Sequence, residues 1–518
     1  MDRSQHQHLP DNTPILVGSG QYTEQPDSQD AAQLNPPMEL AARASQRAID
    51  DAGGALQAAD IDAIAVIRLF SDSAPAWACP FGRSDNPPQS VAHRLGASPQ
   101  SRIYSTLGGN EPLHLMAELS RAIARGELNC ALLTGAEAIA NQRHAQRSCI
   151  DLDWSESHEE SLDNREYIGT IAAPAELASG MYLPAHFYAL IENLRAHQQG
   201  NDEQSHRHQM AQLLAPMSKV ASTNPYAYWH KNYSEQELVS EANGNYPICL
   251  PYSKFLVAQD AVNQAASLIL MSAGKARALG IDPAKWVLQL GYAEAADQCV
   301  YERPDPGTSQ AMQATLSTVF QRAECTQKDI GLIDIYSCFP CAVEAVREEL
   351  GIAADDPRPL TVTGGLPFFG GPGNNYSMHA LAEMVNQLRG SRKKGLVTAN
   401  GGQLSKHAAV ILGAATSESA VPPLDYSELT FEAIAADSVS TVPECKNPDS
   451  GSVLTYTIIF ERKRDDKVVV LAEDETGARF LANSTDEAVV AQARDQSPIG
   501  CKVKVWQENN KNRFSFVD

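Results

Sequence analysis

The chain repeats one order of strands and helices in two separate stretches. Each stretch places a helix with apolar residues at helical spacing before a short apolar strand, and a second helix before a second strand. The segments are 37–53, 61–70, 112–125 and 130–138 in the first copy, and 308–323, 330–339, 378–390 and 395–402 in the second. This alternation indicates an α/β fold with a largely parallel sheet, built from two βαβαβ halves.

Length and charge exclude several classes of protein. With 518 residues the chain is long enough for about two to four domains. A formal net charge of −22 argues against nucleic acid or an anionic membrane as the main partner, because clustered cations bind phosphate groups. No apolar run approaches the roughly 20 residues that span a bilayer, and residues 1–14 have no signal-peptide pattern. Ten cysteines without framework spacing favour free thiols in the cytoplasm.

Two regions depart from the repeat. Residues 150–252 are polar, with helical stretches near 183–198 and 202–222, and are interpreted as a loop insertion over one face of the core. After Gly413 comes a Ser- and Pro-containing linker, and then short alternating segments that predict a small all-β, OB-like barrel. The predicted domains are 12–285 with the insertion, 286–415, and 425–518.

Several short motifs resemble one protein family in their order and spacing. They are NPPQSVAHRLG at 86–96, PYSKF at 251–255, YSCFP at 336–340, GGLPFFGGPGNN at 364–375 and NGGQLSKH at 400–407. With the duplicated halves, the glycine turn at 108–110 and the segment 266–287, they resemble the thiolase superfamily. More narrowly, they are similar to its thiolase-like protein type 1 group, whose members often carry an additional C-terminal domain. The resemblance covers about residues 12–415 and implies a five-layered core.

The resemblance also implies where an active site would lie. Thiolases use a cysteine nucleophile at a helix N-terminus, a histidine base in a Gly-His-Pro motif and a second cysteine that carries a proton. The corresponding positions in this chain are Gly109, Gly371 and Thr398. A glycine cannot attack a thioester, so ordinary thiolysis or Claisen condensation is not expected. The segment at the oxyanion-hole position is 336–339.

Four residues are candidates for rearranged catalysis: Cys338, His379, Tyr336 and Asn400. Cys338 and Cys341 form a Cys-Phe-Pro-Cys sequence before a helix, where a thiolate could be redox-active or nucleophilic, although a structural role is favoured. His379 either faces the pocket or is buried in its helix. Tyr336 could donate to an oxyanion or simply pack, and Asn400 could donate to a carbonyl oxygen.

Three further residues are candidates for substrate binding: Asn110, Asn374 and His407. Capping of the following helix by the Asn110 side chain is the favoured alternative for that residue, and His407 is expected to cap or pack. The histidines at 6, 8, 206 and 208 are expected to be solvated. No metal-ligand spacing, phosphate loop or serine-nucleophile elbow occurs in the sequence.

Two functions remain open. In the first, the chain binds an acyl-CoA or acyl-carrier thioester, or is an acyltransferase with rearranged residues, resembling acetyl-CoA acetyltransferase; coenzyme A is then a ligand and no cofactor is tightly bound. In the second, it is an interaction protein whose core and β domain bind an acyl carrier or another thiolase-like subunit. Thiolase cores dimerise through a strand edge, which the appended domain could cover, so a monomer or a homodimer is expected.

Overall fold

The computed structural model describes residues 9–26, 30, 33–167, 172–415, 424–426, 441–461 and 465–517. The strands are β1 (Pro14–Thr23), β2 (Ala63–Val66), β3 (Ser101–Tyr104), β4 (Cys130–Ala138), β5 (Asp163–Asn164), β6 (Pro247–Cys249), β7 (Tyr252–Ser253), β8 (Asn263–Ser272), β9 (Val287–Ala296), β10 (Ile330–Asp334), β11 (Lys394–Gly401), β12 (Lys406–Ala414), β13 (Ser450–Ile459), β14 (Lys467–Glu473), β15 (Arg479–Ser484), β16 (Lys502–Glu508) and β17 (Lys511–Phe516). The helices are α1 (Pro37–Ala52), α2 (Pro87–Leu95), α3 (Glu111–Ala124), α4 (Ile139–Ser148), α5 (Pro174–Ala178), α6 (Pro184–Gln198), α7 (Glu203–Thr223), α8 (Glu235–Val239), α9 (Ala273–Ala278), α10 (Gln310–Arg322), α11 (Pro340–Glu349), α12 (Tyr376–Leu388) and α13 (Glu487–Asp495). Most of the predicted linker after Gly413, and the histidines at 6 and 8, fall outside the described residues.

The core strands form one ten-stranded sheet in the order β10-β11-β12-β9-β1-β8-β4-β2-β3-β5. Its two halves meet at a single antiparallel pair, Leu16 with Val287, and the strand order runs outward from that pair in the same way on both sides. The duplication predicted from the sequence is therefore present in the sheet. The prediction of a largely parallel sheet is wrong, because β11 and β12 are joined by a short turn and β8 runs antiparallel to both neighbours.

Helices and sheet halves stack in five layers. Helices α3 and α12 lie between the two halves, α1 and α2 cover the outer face of the first half, and α10 and α11 lie outside the second. Helix α1 approaches β1 closely because glycines face it: a Cβ atom on Gly18 would lie 2.2 Å from Ala48 O, and one on Gly20 would lie 2.1 Å from Ala44 O. The five-layered fold predicted from the resemblance is confirmed.

The last five strands close into a barrel. Their order is β13-β14-β15-β17-β16, and β13 pairs with both β14 and β16. The barrel prediction is confirmed, while the finer OB-like designation stays an interpretation. The all-β description was incomplete, because α13 packs against β13 and β14. Strand β13 continues the barrel sheet into β6 of the insertion, where Ile459 pairs with Cys249.

Within the described residues, no helix combines the length and the apolar character needed to cross a bilayer.

Candidate functional site

The place predicted for a nucleophile lies where three loops of the core meet. Gly109 precedes α3, Tyr336 follows β10, and Asn400 lies at the end of β11. A Cβ atom on Gly109 would lie 2.3 Å from the hydroxyl oxygen of Tyr336 and 2.5 Å from the carbonyl oxygen of Asn400. Side chains do not tolerate such distances, so only glycine fits between these two groups. The structure therefore brings Gly109, Tyr336 and Asn400 together.

The loop before α3 is fixed by the turn that leads into α12. Asn374 Oδ1 accepts a hydrogen bond from the N–H of Gly108 at 3.1 Å, and its Nδ2 donates to the carbonyl oxygen of Arg68 at 2.9 Å. The Ser377 hydroxyl donates to the carbonyl oxygen of Gly109 at 2.6 Å. Asn374, a predicted substrate-binding residue, thus uses both ends of its amide to position this loop.

Asn110 occupies the N-cap position of α3 without capping it. Its backbone is already helical, with φ −78° and ψ −19°, and its side chain makes no capping hydrogen bond. Capping side chains normally belong to residues with extended backbone, which directs the side chain toward the next free amides. The capping prediction for Asn110 is therefore wrong. The Asn110 Nδ2 instead donates to Glu111 at 3.2 Å, and its buried Oδ1 has no partner in the described part of the chain.

A tyrosine from the insertion completes the site. Tyr188, on α6, accepts hydrogen bonds at its hydroxyl oxygen from Asn400 Nδ2 at 2.8 Å and from Leu404 N at 2.9 Å, and its ring stacks on Phe339 at 4.2 Å. Thr398, at the position of the second thiolase cysteine, accepts a bond from the N–H of Tyr336 at 3.2 Å. Sequence reasoning missed Tyr188, for which the only signal was its place on a helix predicted to lie over the core.

The Cys338 thiol faces this cluster, and burial favours its neutral form. Asn400 Nδ2 lies 3.7 Å from its sulfur, and burial raises the pKa of the Cys338 thiol to about 12. Burial also raises the pKa of Cys341 well above the ordinary value, and the Tyr252 hydroxyl lies 3.5 Å from that sulfur. Both thiols are free. Because the thiolate is the reactive form, this environment favours the structural reading of Cys-Phe-Pro-Cys.

His379 and Gly371 lie elsewhere. His379 is buried in α12, its Nδ1 lies 2.8 Å from Oε1 of Gln21 on β1, and burial lowers the pKa of the imidazole to about 3. These contacts favour the alternative that His379 is buried in its helix. Gly371 donates its N–H to the carbonyl oxygen of Gln259 at 2.8 Å. The structure therefore does not join these two positions to Gly109 by any contact described.

His407 packs at the back of the site. Its Nε2 lies 3.0 Å from the Ser309 hydroxyl and 3.0 Å from the carbonyl oxygen of Leu404, and burial lowers its pKa to about 4. A cavity of about 10 Å³ remains between His407, Tyr336 and Asn400. One water needs roughly 10–15 Å³ of such space, so no acyl group fits there in this conformation.

Burial shifts the pKa of each of four ionisable side chains at the site in the direction that favours the uncharged form. Burial raises the pKa of Tyr188, Tyr336 and Cys338 and lowers that of His407, so the neutral form of each is favoured. In these forms the arrangement can donate and accept hydrogen bonds.

A charged cluster one turn further along α3 was also missed. His114 Nδ1 lies 2.9 Å from Glu294, its Nε2 lies 3.6 Å from Glu118, and Glu118 binds Arg165 at 2.6 Å. Although burial opposes the charge, Glu118 and Glu294 raise the pKa of His114 to about 10. The His-Glu spacing of four on a helix was the available signal. Within the described residues, no group of three or more His, Cys, Asp or Glu side chains could hold a metal ion.

Known proteins match parts of the chain. Residues 432–510 match the family described as thiolase-like protein type 1 additional C-terminal domain. Over 135 residues, or 26% of the chain, the sequence is 27% identical to an acetyl-CoA acetyltransferase of Cupriavidus necator, and the match spans 32% of that enzyme, about a third of its length. Human mitochondrial 3-ketoacyl-CoA thiolase superposes with a TM-score of 0.54 at 14% identity, covering 78% of this chain and 99% of that one, which shows the shared fold alone.

One solved structure is similar over nearly the whole length. It is the crystal structure of a monomeric SCP2-thiolase like protein type 1 from Mycobacterium smegmatis, with a TM-score of 0.82 and 32% identity. The similarity covers 98% of this chain and 100% of that one, so it includes both sheet halves, the insertion and the barrel. The chain belongs to the thiolase-like protein type 1 family of the thiolase superfamily.

Proposed function

We propose that this chain is a non-catalytic member of the thiolase superfamily, which binds an acyl-CoA or another acyl thioester without cleaving or condensing it at Gly109. The similarity to an acetyl-CoA acetyltransferase supports the binding half of the proposal. One observation carries the non-catalytic half. The space beside Gly109, where a nucleophile would have to act, is filled by the Tyr336 hydroxyl and the Asn400 carbonyl. The thiol of Cys338 and the imidazole of His379, the two groups that could replace the thiolase machinery, are buried in neutral form.

The catalytic half of the proposal is tested by thiolysis. Purified protein is mixed with acetoacetyl-CoA and CoA, and loss of the 3-ketoacyl absorbance is followed. We expect no rate above that of the buffer, because burial favours the neutral form of the Cys338 thiol, whereas the thiolate is the nucleophile. A rate that is lost in Cys338→Ala would overturn the proposal and make Cys338 the nucleophile.

The binding half is tested by calorimetric titration with acetyl-CoA and with CoA. We expect saturable heat, which Cys338→Ala leaves unchanged because its thiol is not needed for binding. The Tyr336→Ala variant should bind more tightly, because it removes a ring from the space beside Gly109. If neither the unaltered chain nor the Tyr336→Ala variant gives a heat of binding, although both are folded, acyl-thioester binding is contradicted.

A second candidate function is that of an interaction protein. Three apolar side chains close together along the insertion are about half exposed: Leu177 at 44%, Tyr182 at 60% and Leu183 at 49%. Exposed apolar patches of this kind mark contact surfaces. The partner would be an acyl-carrier protein or another thiolase-like subunit. The complex with an acyl-carrier protein can be measured by sedimentation. We expect Tyr182→Ser to abolish this complex and the control Trp506→Ser, on the barrel, to leave it intact. If the unaltered chain forms no complex, an acyl-carrier protein is excluded as the partner.

The ten free cysteines support the expectation that this protein acts in the cytoplasm.

A further inference from the structure

Two hydrogen-bond donors of the core converge on one oxygen atom close to Gly109. The Nδ2 of Asn400 lies 2.8 Å from the hydroxyl oxygen of Tyr188, and the backbone nitrogen of Leu404 lies 2.9 Å from the same atom. Both donor residues are buried, Asn400 at 5% and Leu404 at 1% exposure. Fixed donors at about 2.7–3.1 Å from one oxygen are the arrangement that binds a carbonyl oxygen or an oxyanion.

The donors belong to the core, whereas the oxygen they hold belongs to the insertion. Asn400 lies at the end of β11, where its own carbonyl oxygen borders Gly109, and Leu404 lies in the turn between β11 and β12. Tyr188 reaches them from α6. The core therefore offers a pair of donors beside the place of the thiolase nucleophile, and a side chain of the insertion fills it.

The space around the pair is closed while Tyr188 is in place. Asn400 and Leu404 both line the cavity of about 10 Å³ behind the site. The Tyr188 ring is 2% exposed and stacks on Phe339, with 4.2 Å between the ring centroids. If this ring turns away, space for an acyl group opens directly beside both donors.

Helix α6 is anchored, so the tyrosine side chain has to move and not the helix. Glu192 lies one turn after Tyr188, and one of its oxygens accepts hydrogen bonds from the N–H of Cys341 and the hydroxyl of Tyr252, each at 2.7 Å. Its other oxygen lies 2.8 Å from Nε2 of His206. The expectation that His206 is solvated is wrong, because its side chain is 8% exposed against this carboxylate. Rotation of the Tyr188 side chain is therefore the movement that frees the two donors.

We propose that the Tyr188 hydroxyl holds the place of a ligand carbonyl oxygen. When an acyl thioester binds, Tyr188 turns away, and the thioester C=O accepts hydrogen bonds from Asn400 Nδ2 and the Leu404 N–H. This assignment rests on the proposed function, because its ligand is the acyl thioester of that site. It adds the atom that is recognised, a second donor beside Asn400, and a side chain that closes the empty site.

The test compares acetyl-CoA with S-ethyl-CoA, a thioether without the carbonyl oxygen, in calorimetric titrations. In the unaltered chain Tyr188 competes for the donors, so the two affinities should differ little. In Tyr188→Ala the donors are free, and we expect the ratio of the two affinities to rise about tenfold, as for two neutral hydrogen bonds. Adding Asn400→Leu should reduce that ratio again. The control is Tyr246→Ala, at a 40% exposed tyrosine of the same insertion, which should keep the ratio of the unaltered chain.

Two results would overturn the assignment. One is an affinity ratio that does not change in Tyr188→Ala, and the other is a raised ratio that Asn400→Leu does not reduce. If Tyr188→Ala does not fold, Tyr188→Phe decides by the same comparison, because it keeps the ring and removes the competing oxygen. Saturable acetyl-CoA binding with an unchanged ratio would leave the proposed function standing.

A pair of small aromatic ligands tests the donors without coenzyme A. We expect acetophenone, which has a carbonyl group, to raise the Tm of Tyr188→Ala more than ethylbenzene does, and Asn400→Leu to remove this advantage. Its carbonyl stretch should shift to lower frequency when it is bound. Equal effects of the two ligands would overturn the carbonyl-binding pair. An acetophenone advantage without any acetyl-CoA binding would support the pair and contradict the proposed function.

Discussion

Gly109 lies between a side chain and a backbone carbonyl, which differ in how easily they can move. A methyl group added there would meet the Tyr336 hydroxyl and the Asn400 carbonyl, and only the first can turn away. We expect Gly109→Ala to lower the free energy of unfolding by about 1–3 kcal/mol, as overpacking does. Gly371→Ala is the matched control, because the nearest atom to its added Cβ lies 3.2 Å away, and it should cost less.

The same clash predicts a coupling that denaturant unfolding can measure. In a Tyr336→Leu background, which lacks the hydroxyl, Gly109→Ala should cost less than in the unaltered chain, because part of the overlap is gone. Strictly additive losses would show that Tyr336 does not restrict the Gly109 position.

His114 gives the cluster on α3 a defined pH dependence. Its pKa of about 10 in the folded chain lies above the ordinary value of 6.5, so the stabilisation from its protonated form is complete below about pH 6.5 and is lost as the pH rises through about 10. We therefore expect the stability advantage of the unaltered chain over His114→Gln to be larger near pH 6 than near pH 10, measured by denaturant unfolding. His93→Gln, at an exposed histidine outside this cluster, is the control substitution. A constant difference for His114→Gln would contradict the ion pairs with Glu118 and Glu294.

At the scale of single elements, β5 covers the end of the core sheet. It pairs with β3 at Ile103 and Tyr104, and it comes from the insertion, whereas the sequence had suggested that the appended domain could cover an edge strand. Arg68 donates to the Asn164 side chain at 2.6 Å, and Arg165, the next residue, binds Glu118 at 2.6 Å. These contacts hold β5 against β3, whose outer backbone groups would otherwise be free to pair with another chain.

Releasing β5 should therefore promote self-association. We expect the double variant Asn164→Ala/Arg165→Ala to show a larger dimer fraction in sedimentation velocity than the unaltered chain, because the β3 edge becomes accessible. Arg207→Ala, which removes a surface ion pair far from this edge, should leave the dimer fraction as it was. An unchanged dimer fraction for the double variant would mean that β5 does not protect the edge of β3.

Elements with one buried face were predictable from the sequence, and the site was predictable in part, since Gly109, Tyr336 and Asn400 were named and Tyr188 was not. Helices α1 and α10 bury one stripe each, so their apolar spacing located them within about two residues. Strand β12 is buried on both faces over almost its whole length and follows a short turn, so no alternation marked it. The contact of Tyr188 with Asn400 joins residues 212 positions apart, and no local pattern records a contact at that separation.

On the scale of the whole molecule, the barrel is built into the core. Four barrel side chains belong to the same apolar cluster as the thiolase-like halves: Ile459, Val469, Leu471 and Leu481. Thr455 donates to the carbonyl oxygen of Leu190 on α6 at 2.6 Å, and Asn193 on the same helix donates to that of Tyr456 at 2.8 Å. Helix α6 therefore carries the barrel on one side and places Tyr188 in the Gly109 site on the other.

Arg479 connects the barrel to the loop before α10. We expect this connection to make the barrel and the core unfold together. Its buried guanidinium donates to the carbonyl oxygens of Tyr301, Arg303 and Pro304, and each of these acceptors would cost about 1–3 kcal/mol if left unpaired. We expect Arg479→Met to lower stability and to let amides of β13–β17 exchange with deuterium before those of β1, β8 and β9, whereas in the unaltered chain both sets open together. Arg494→Met should keep the joint opening, since its ion pair with Asp466 lies on the barrel surface. Separate opening already in the unaltered chain would show that the shared apolar cluster does not couple barrel and core.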